Sequence, residues 1–203
     1  MIDIIKAAGW PIWPLLFASI AALALIVERS LALRRPRVAP DSLEAQVVDM
    51  VERRAVSEDA LTQLARHSAL GVILSEVVRQ RSASAERCRA AVEDAGRGVA
   101  FVLSKHIEAL GTIAVAAPLM GLFGTVVGMI DIFGAHTAAN NQPALLAHGI
   151  SVALYNTAFG LVIAIPSLVM WRYFRNKVDH FTVELEIAAE RLGRHFYVAK
   201  SGK

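Results

Sequence analysis

Two threonines within long uncharged stretches are the side chains of this sequence best placed to serve ion movement. Thr125 lies in "GLFGTVVGMI", residues 121–130, and Thr157 follows Asn156 in "YNTAFG". If these stretches are membrane-spanning helices and several copies assemble, the hydroxyls and the amide would form a polar ring near the middle of the bilayer. Each threonine could instead donate to a carbonyl of its own helix, which is common. We predict that the three residues line a pore.

Acidic, basic and histidine side chains are missing from both stretches. Residues 109–130 and 150–171 contain no Asp, Glu, His, Lys or Arg. A chain that moved protons by itself would normally place such a group inside the membrane. If this protein conducts protons, we therefore expect another chain to supply the carboxylate.

Other kinds of chemistry find little support in the sequence. Cys88 is the single cysteine, and His136 and His148 share a segment with Asp131 as their only acidic companion, so neither an internal disulfide nor a metal site is expected. The segment "GLFGTVVG" lacks the lysine of a phosphate loop, and no Ser, His and Asp set or carboxylate pair is placed for catalysis. We predict no enzymatic activity and no cofactor.

Three apolar runs predict the elements that position these residues. Hydrophobic residues make up 55% of the 203-residue chain, and each run reaches the roughly 17–25 residues that a helix needs to cross a bilayer. Residues 132–149 contain no Lys or Arg, whereas basic residues flank the other ends of the runs. The ends with basic residues are therefore predicted to be cytoplasmic. The basic residues are predicted to contact membrane lipids rather than nucleic acid. The predicted regions are an outward-facing N-terminus (1–9), transmembrane helices (10–33, 107–133 and 149–171), a cytoplasmic helical loop (34–106), an outward-facing loop (134–148) and a cytoplasmic C-terminal helix (172–203).

Small residues recur at four-residue spacing in the second and third predicted spans. Gly124 and Gly128 form one such pair, and Gly160 and Ala164 form another. Because lipid tails are as apolar as leucine, membrane helices associate by close packing at small residues rather than by hydrophobic exclusion. We predict packing or kinking roles for Gly121, Gly124, Gly128, Gly160, Pro118 and Pro166.

Capping residues predict short helices in the cytoplasmic loop. Pro40 stops any preceding helix, and Asp41 or Ser42 can cap a new one. Further helices are predicted to start near Ser57 and Ser68.

Two long helices are predicted to leave the membrane. Residues from Val92 to Leu110 keep a three- or four-residue spacing into the second span without a helix breaker, which predicts a single helix from about residue 85 to 133. After the third span a seven-residue repeat continues through charged sequence: Phe174, Val178, Phe181, Leu185, Ala188, Leu192 and His195. This repeat could lie on the protein itself or pack against neighbouring copies. Since it offers more apolar positions than one small chain can readily bury, we predict homo-oligomerisation.

The segment "APLMGLFGTVVGMIDIF" followed by "GISVALYNTAFGLVIAIP" resembles the paired signatures of the ExbB/TolQ/MotA family of inner-membrane proton-channel subunits. The resemblance covers roughly residues 85–190. Glu28 and Arg29, at the end of the first span, are similar to the family's usual "ER" pair, although an interfacial pairing of Glu28 with a nearby arginine is the simpler explanation. Three spans, an outward N-terminus and a large first loop resemble the ExbB and TolQ branch.

The resemblance implies an all-α protein of the bacterial inner membrane with a periplasmic N-terminus and a cytoplasmic C-terminus. It implies a homopentameric ring whose second and third spans line a pore, with Thr125 and Thr157 matching the family's pore-lining threonines. The pore would hold the single span of an ExbD- or TolR-like partner that carries an essential aspartate, and a TonB- or TolA-like protein is a further partner that the resemblance allows. Proton flow past the aspartate would convert the proton motive force into mechanical work for envelope transport.

Val152 departs from the ExbB and TolQ pattern. Those proteins usually carry a glutamate there, within "GIxEAL", whereas flagellar stators are more similar to the "VAL" found here. The resemblance therefore leaves open a stator for a different, motility-type motor. A non-conducting oligomeric membrane scaffold is the alternative from another class, and it predicts that Thr125→Val and Thr157→Val leave function intact.

Overall fold

The computed structural model describes residues 9–53, 55–135 and 143–201, and the regular structure within these ranges is α-helical. His136 of the predicted outward-facing loop lies outside the described residues. The helices are α1 (Ile12–Ala32), α2 (Arg35–Val38), α3 (Leu43–Glu52), α4 (Glu58–His67), α5 (Ala69–Arg79), α6 (Ala85–Ser104), α7 (Ile107–Ala135) and α8 (Pro143–Ser201).

Three of these helices are long and apolar enough to cross a membrane. They are α1, residues Ile107–Gly134 of α7, and residues Ile150–Phe196 of α8, judged by length and composition. The three predicted spans are therefore confirmed as long apolar helices. The third span and the predicted C-terminal helix form one uninterrupted helix of 59 residues.

The predicted continuous helix over residues 85–133 is wrong. α6 ends at Ser104 and α7 begins at Ile107. Between them, His106 has a φ of 67°, in the left-handed region where a helix cannot continue and which non-glycine residues adopt only at an energetic cost. Lys105, the C-cap of α6, has already left the helical region with a ψ of 138°, and the backbone N–H of Leu110 donates to the His106 carbonyl at 3.4 Å, so His106 begins the next helix.

The chain divides into two compact units, which we describe separately. The span unit comprises Met1–Glu28 and His106–Tyr173, and the loop unit comprises Arg29–Lys105 and Phe174–Lys203. The span unit contains most of α1, all of α7 and the first part of α8. The loop unit contains α2 to α6 and the last part of α8.

The loop unit folds around α5. Ile73, Leu74 and Val77 of this helix are at most 2% exposed and belong to one apolar core with residues of α3, α4, α6 and α8. Both predicted serine caps are confirmed: the Ser57 hydroxyl accepts from the Ala60 N–H, and the Ser68 hydroxyl accepts from the Gly71 N–H at 3.0 Å.

The C-terminal part of α8 packs on its own protein. The first six positions of the predicted repeat, Phe174 to Leu192, are all buried, whereas His195 is exposed. Leu185, Ala188 and Leu192 belong to the loop-unit core. Of the two alternatives for this repeat, burial on the chain itself is therefore the one observed. Arg35 forms an ion pair with Glu184 of α8 at 2.7 Å. The pKa of Arg35 is raised, first by its hydrogen bond to Asp41 and then by the negative charges of Glu184 and Asp41.

Candidate functional site: the seam between α7 and α8

The backbones of α7 and α8 approach closely at two glycines. A Cβ at Gly121 would lie 2.7 Å from the carbonyl oxygen of Asn156 and 3.0 Å from the Cα of Thr157. A Cβ at Gly160 would lie 2.5 Å from the carbonyl oxygen of Ala117. Since the obstructing atoms belong to the backbone, a side chain at either position would force the helices apart.

The seam continues at two further glycines of α7. At Gly124, a Cβ would lie 2.8 Å from the Cβ of Asn156, and at Gly128 it would lie 3.1 Å from the Cβ of Ala153. Later positions of α7 thus meet earlier positions of α8, which is the register of two antiparallel helices. We call this contact, formed by the four glycines and their α8 and α7 neighbours, the seam.

The polar side chains of α8 lie in the seam. Asn156 is 1% exposed, and its side chain sits against Gly124. The Thr157 hydroxyl oxygen is also buried and has no hydrogen-bond partner within the part of the chain that the structure describes. Within one chain, both groups therefore belong to the helix contact.

Thr125 differs from Thr157 because it borders an open surface. Its hydroxyl donates to the Leu122 carbonyl at 2.6 Å, the own-helix bond that was the simpler alternative. The residue lines a concavity of about 620 Å³ together with Met129 and Phe133. The Cα of Thr157 lies beside Gly121, which precedes Thr125 by four residues on α7. Along the helix axis, Thr157 is therefore about one helical turn, or about 6 Å, from Thr125.

The two prolines lie inside the span-unit helices. Pro118 follows Ala117, whose carbonyl contacts Gly160, and Pro166 interrupts the hydrogen-bond ladder of α8. Next to it, the Ser167 hydroxyl donates to the Ile163 carbonyl at 2.7 Å. Both helices are continuous through their proline.

Glu28 and Arg29 make contacts that the sequence pattern did not predict. In the span unit, a Glu28 carboxylate oxygen lies 3.7 Å from Nδ1 of His106. In the loop unit, Arg29 is only 7% exposed, and its guanidinium donates to the Leu103 carbonyl at 3.2 Å. Arg29 thereby binds one of the last carbonyls of α6, which have no partner within their own helix.

The described residues include no group of three or more His, Cys, Asp or Glu side chains that could hold a metal ion. Between Ala109 and Ile130 on α7, and between Ile150 and Trp171 on α8, the sequence supplies no titratable side chain of any of the usual proton-carrying types. The seam therefore provides close helix packing and uncharged polar side chains.

Comparison with known proteins agrees with the fold. Residues 39–187 match the family model described as the MotA/TolQ/ExbB proton channel family. The chain is 33% identical to the ExbB-like 1 protein of Synechocystis sp., over 92% of this chain and 78% of the relative. It is 32% identical to the ExbB-like 3 protein of the same organism, over 84% and 82%, and 31% identical to the biopolymer transport protein ExbB of Pseudomonas putida, over 66% and 42%. The chain therefore belongs to the MotA/TolQ/ExbB proton channel family.

Proposed function

We propose that this chain is the channel subunit of a proton-driven motor in the bacterial inner membrane. Several copies, five by family resemblance, form a ring around the single span of an ExbD- or TolR-like partner. The partner's aspartate carries the proton, and its passage drives mechanical work for envelope transport. A TonB- or TolA-like protein would receive that work.

One observation carries the proposal: in this member of the channel family, the uncharged runs of the second and third spans contain no Asp, Glu, His, Lys or Arg. The polar side chains of residues 109–130 and 150–171 are uncharged, and a threonine hydroxyl or an asparagine amide does not ionise near neutral pH. A proton channel built from these helices needs a carboxylate from elsewhere. A partner helix in the pore supplies it without placing a buried charge in this chain.

The proposal assigns a role to each of the three polar residues and to the four glycines. Thr125 borders an open concave surface, which suits a position on the pore lumen. Thr157 and Asn156 remain in the proposal as polar groups of the pore wall, with their side chains inside the seam. Gly121, Gly124, Gly128 and Gly160 hold the two helices of that wall in close contact with each other.

Val152 leaves open a second variant of the proposal, a stator for a motor other than the TonB or Tol systems. It lies beside Ala153, the α8 residue that contacts Gly128, and it stands where ExbB and TolQ proteins usually carry glutamate. A stator for a motility-type motor has the same partner requirement.

Purification of the tagged full chain from its own membranes in mild detergent tests the proposal. We expect a single-span protein with an aspartate in its span to co-purify in a fixed ratio. Reproducible recovery of a homo-oligomer without such a protein would instead support a non-conducting scaffold.

Threonine variants separate the channel from the scaffold. Thr125→Val should reduce proton flux through the reconstituted complex by about tenfold or more, because it removes a lumen hydroxyl without changing side-chain size. Thr112→Val is the matched control: its hydroxyl also donates to its own helix, to the Glu108 carbonyl at 3.0 Å, but it lies at the end of the uncharged run. Equal flux in both variants and the parent would contradict a pore role for Thr125.

A further inference from the structure

Two apolar patches remain exposed on the loop unit. On α6, Phe101 and Val102 are 75% and 64% exposed. On α8, Val183 and Ile187 are 53% and 44% exposed and lie about one helical turn apart. We call these pairs the α6 patch and the α8 patch. Neither pair belongs to the seven-residue repeat, which is buried as far as Leu192.

The two patches lie at the same end of one groove. Its volume is about 670 Å³, and Ala100 is the last α6 residue and Thr182 the first α8 residue that lines it. The chain leaves the loop unit at Lys105 after α6 and returns to it at Phe174 on α8, so the two helices run in opposite directions through the unit. Each patch begins at the residue that directly follows Ala100 or Thr182. The patches are therefore level with each other along the helices.

Lipid is too far away to cover the α8 patch in the proposed topology. Val183 and Ile187 lie 12 and 16 residues beyond Trp171, the last residue of the uncharged run, which is about 18–24 Å along a helix. The headgroup region extends only about 5–8 Å beyond the hydrocarbon core. The patch therefore meets water unless another protein covers it, and neighbouring apolar residues exposed to water are typical of a protein contact.

The charges around the two patches have opposite signs. Residues three and four positions away are neighbours on a helix surface. Around the α6 patch, the formally charged residues at these positions are Arg97 and Lys105. Around the α8 patch, the same positions hold four acidic residues and one basic residue: Asp179, Glu184, Glu186, Glu190 and Arg191.

Some of these charges already have partners within the loop unit. Arg97 pairs with two acidic residues of its own helix, and Glu184 pairs with Arg35. Lys105 on one side, and Asp179, Glu186 and Glu190 on the other, therefore carry the complementarity. A surface that fits the α8 patch should be apolar with a basic border, and the α6 patch has that character.

We propose that the α6 patch of one copy of this chain packs against the α8 patch of the next copy. The inference rests on the proposed ring and names where its copies meet outside the membrane. Because the two patches differ, the contact is heterologous, and its repetition by rotation can close a ring. Rotation about an axis along the helices keeps every residue at its level, so patches that are level in one copy meet in the assembly. Contact of each patch with itself would instead bring like charges together.

Cysteine cross-linking between copies of the full chain tests this contact. Cys88 is the only native cysteine and is buried, so Phe101→Cys and Val183→Cys are each made in a Cys88→Ser chain. The two variants carry different tags, are produced together, and are oxidised in their native membranes, so that a dimer with both tags reports a contact between copies. Arg66→Cys, at an exposed position of α4, replaces Val183→Cys in the matched control.

We expect at least fivefold more doubly tagged dimer from Phe101→Cys with Val183→Cys than from Phe101→Cys with Arg66→Cys. Each variant produced alone should give no more dimer than the control. Addition of Lys105→Glu to the Phe101→Cys chain should lower the yield by about twofold to fivefold, the range that corresponds to an exposed ion pair of up to about 1 kcal/mol. Native mass spectrometry of the same samples in detergent gives the number of copies in each assembly.

Three results would overturn the proposal. Cross-linking of Phe101→Cys alone that equals the mixed yield would mean that the patch pairs with itself. A yield at the control level in an oligomer of several copies would place the contact elsewhere and leave the proposed ring intact. Chains that remain monomeric in every sample would contradict both this contact and the proposed ring.

Discussion

The span unit and the loop unit bury different kinds of side chain. In the loop unit, large aliphatic residues such as Val47 and Leu74 are fully buried. In the span unit, alanines and glycines fill the seam. A few large residues such as Leu15 are buried there outside the seam, whereas Phe17 and Val162 are 77% and 66% exposed.

The difference follows from the solvent that each surface meets. Burial of a leucine away from water is favourable by itself, so the loop unit gains stability from the size of its core residues. A leucine that faces lipid gains little from burial, so the span unit gains stability from how closely its backbones approach. Stability should therefore be most sensitive to truncation of large side chains in the loop unit and to enlargement of small side chains in the span unit.

Truncation of a leucine should reveal the largest contrast. Leu74→Ala removes a fully buried core residue and should lower the free energy of unfolding by about 2–5 kcal/mol. Leu23→Ala changes a residue of α1 that is 64% exposed, and its effect should stay within about 0.5 kcal/mol. Denaturant titration of the full chain in detergent, followed by circular dichroism, measures both. Equal losses would contradict the contrast.

Enlargement of a glycine in the seam should be the next largest effect. In Gly160→Ala the new Cβ would meet the Ala117 carbonyl oxygen at 2.5 Å, and the variant should lose about 1–3 kcal/mol through overpacking. Gly134→Ala is the matched control on α7, because no heavy atom lies within 4 Å of its Cβ position. Thermal unfolding in the same detergent compares the two, and a Gly160→Ala variant as stable as the parent would argue against a tight seam.

Removal of a helix cap should affect the loop unit moderately. Ser68→Ala removes the acceptor of the Gly71 N–H and should cost about 1 kcal/mol. Ser42→Ala is the control, because Ser42 occupies the same position before α3 but makes no capping hydrogen bond from its side chain. Chemical unfolding distinguishes the two, and a larger loss for Ser42→Ala would contradict the assignment of the caps.

Two glycine-to-alanine changes compare an open and a crowded backbone position within the loop unit. Gly98 of α6 is exposed and has nothing within 4 Å of its Cβ position, so Gly98→Ala should stabilise the protein by about 0.5–1 kcal/mol through helix propensity. Gly71→Ala should be destabilising, since its Cβ would lie 2.0 Å from the Leu64 carbonyl oxygen. The same denaturant titration should therefore give opposite signs.

Local features of this fold could be predicted from the sequence. The apolar runs identify the three long helices because span length is a property of consecutive residues. Ser57 and Ser68 mark helix starts because a cap acts on a backbone N–H only three residues away. The repeat from Phe174 to Leu192 indicates a buried helix face because its period matches that of the helix.

Other features could not be predicted because they depend on contacts between distant residues or on unmarked backbone geometry. Lys105 and His106 separate two helices without the glycine or proline that usually signals an end. Arg29 is 74 positions from the Leu103 carbonyl that it binds, and Gly111 is 60 positions from the Trp171 ring that covers it, counting from their numbers in the chain. No pattern local to either residue encodes the partner.

Proton flux in reconstituted vesicles tests the central claim most directly. The measurement compares vesicles that contain this chain alone, the co-purified complex, and the complex in which the partner's membrane aspartate is replaced by asparagine. We predict flux above the lipid background for the intact complex only, because residues 109–130 and 150–171 of this chain contain no Asp, Glu, His, Lys or Arg. Flux through this chain alone, or unchanged flux after the aspartate is replaced, would contradict the account.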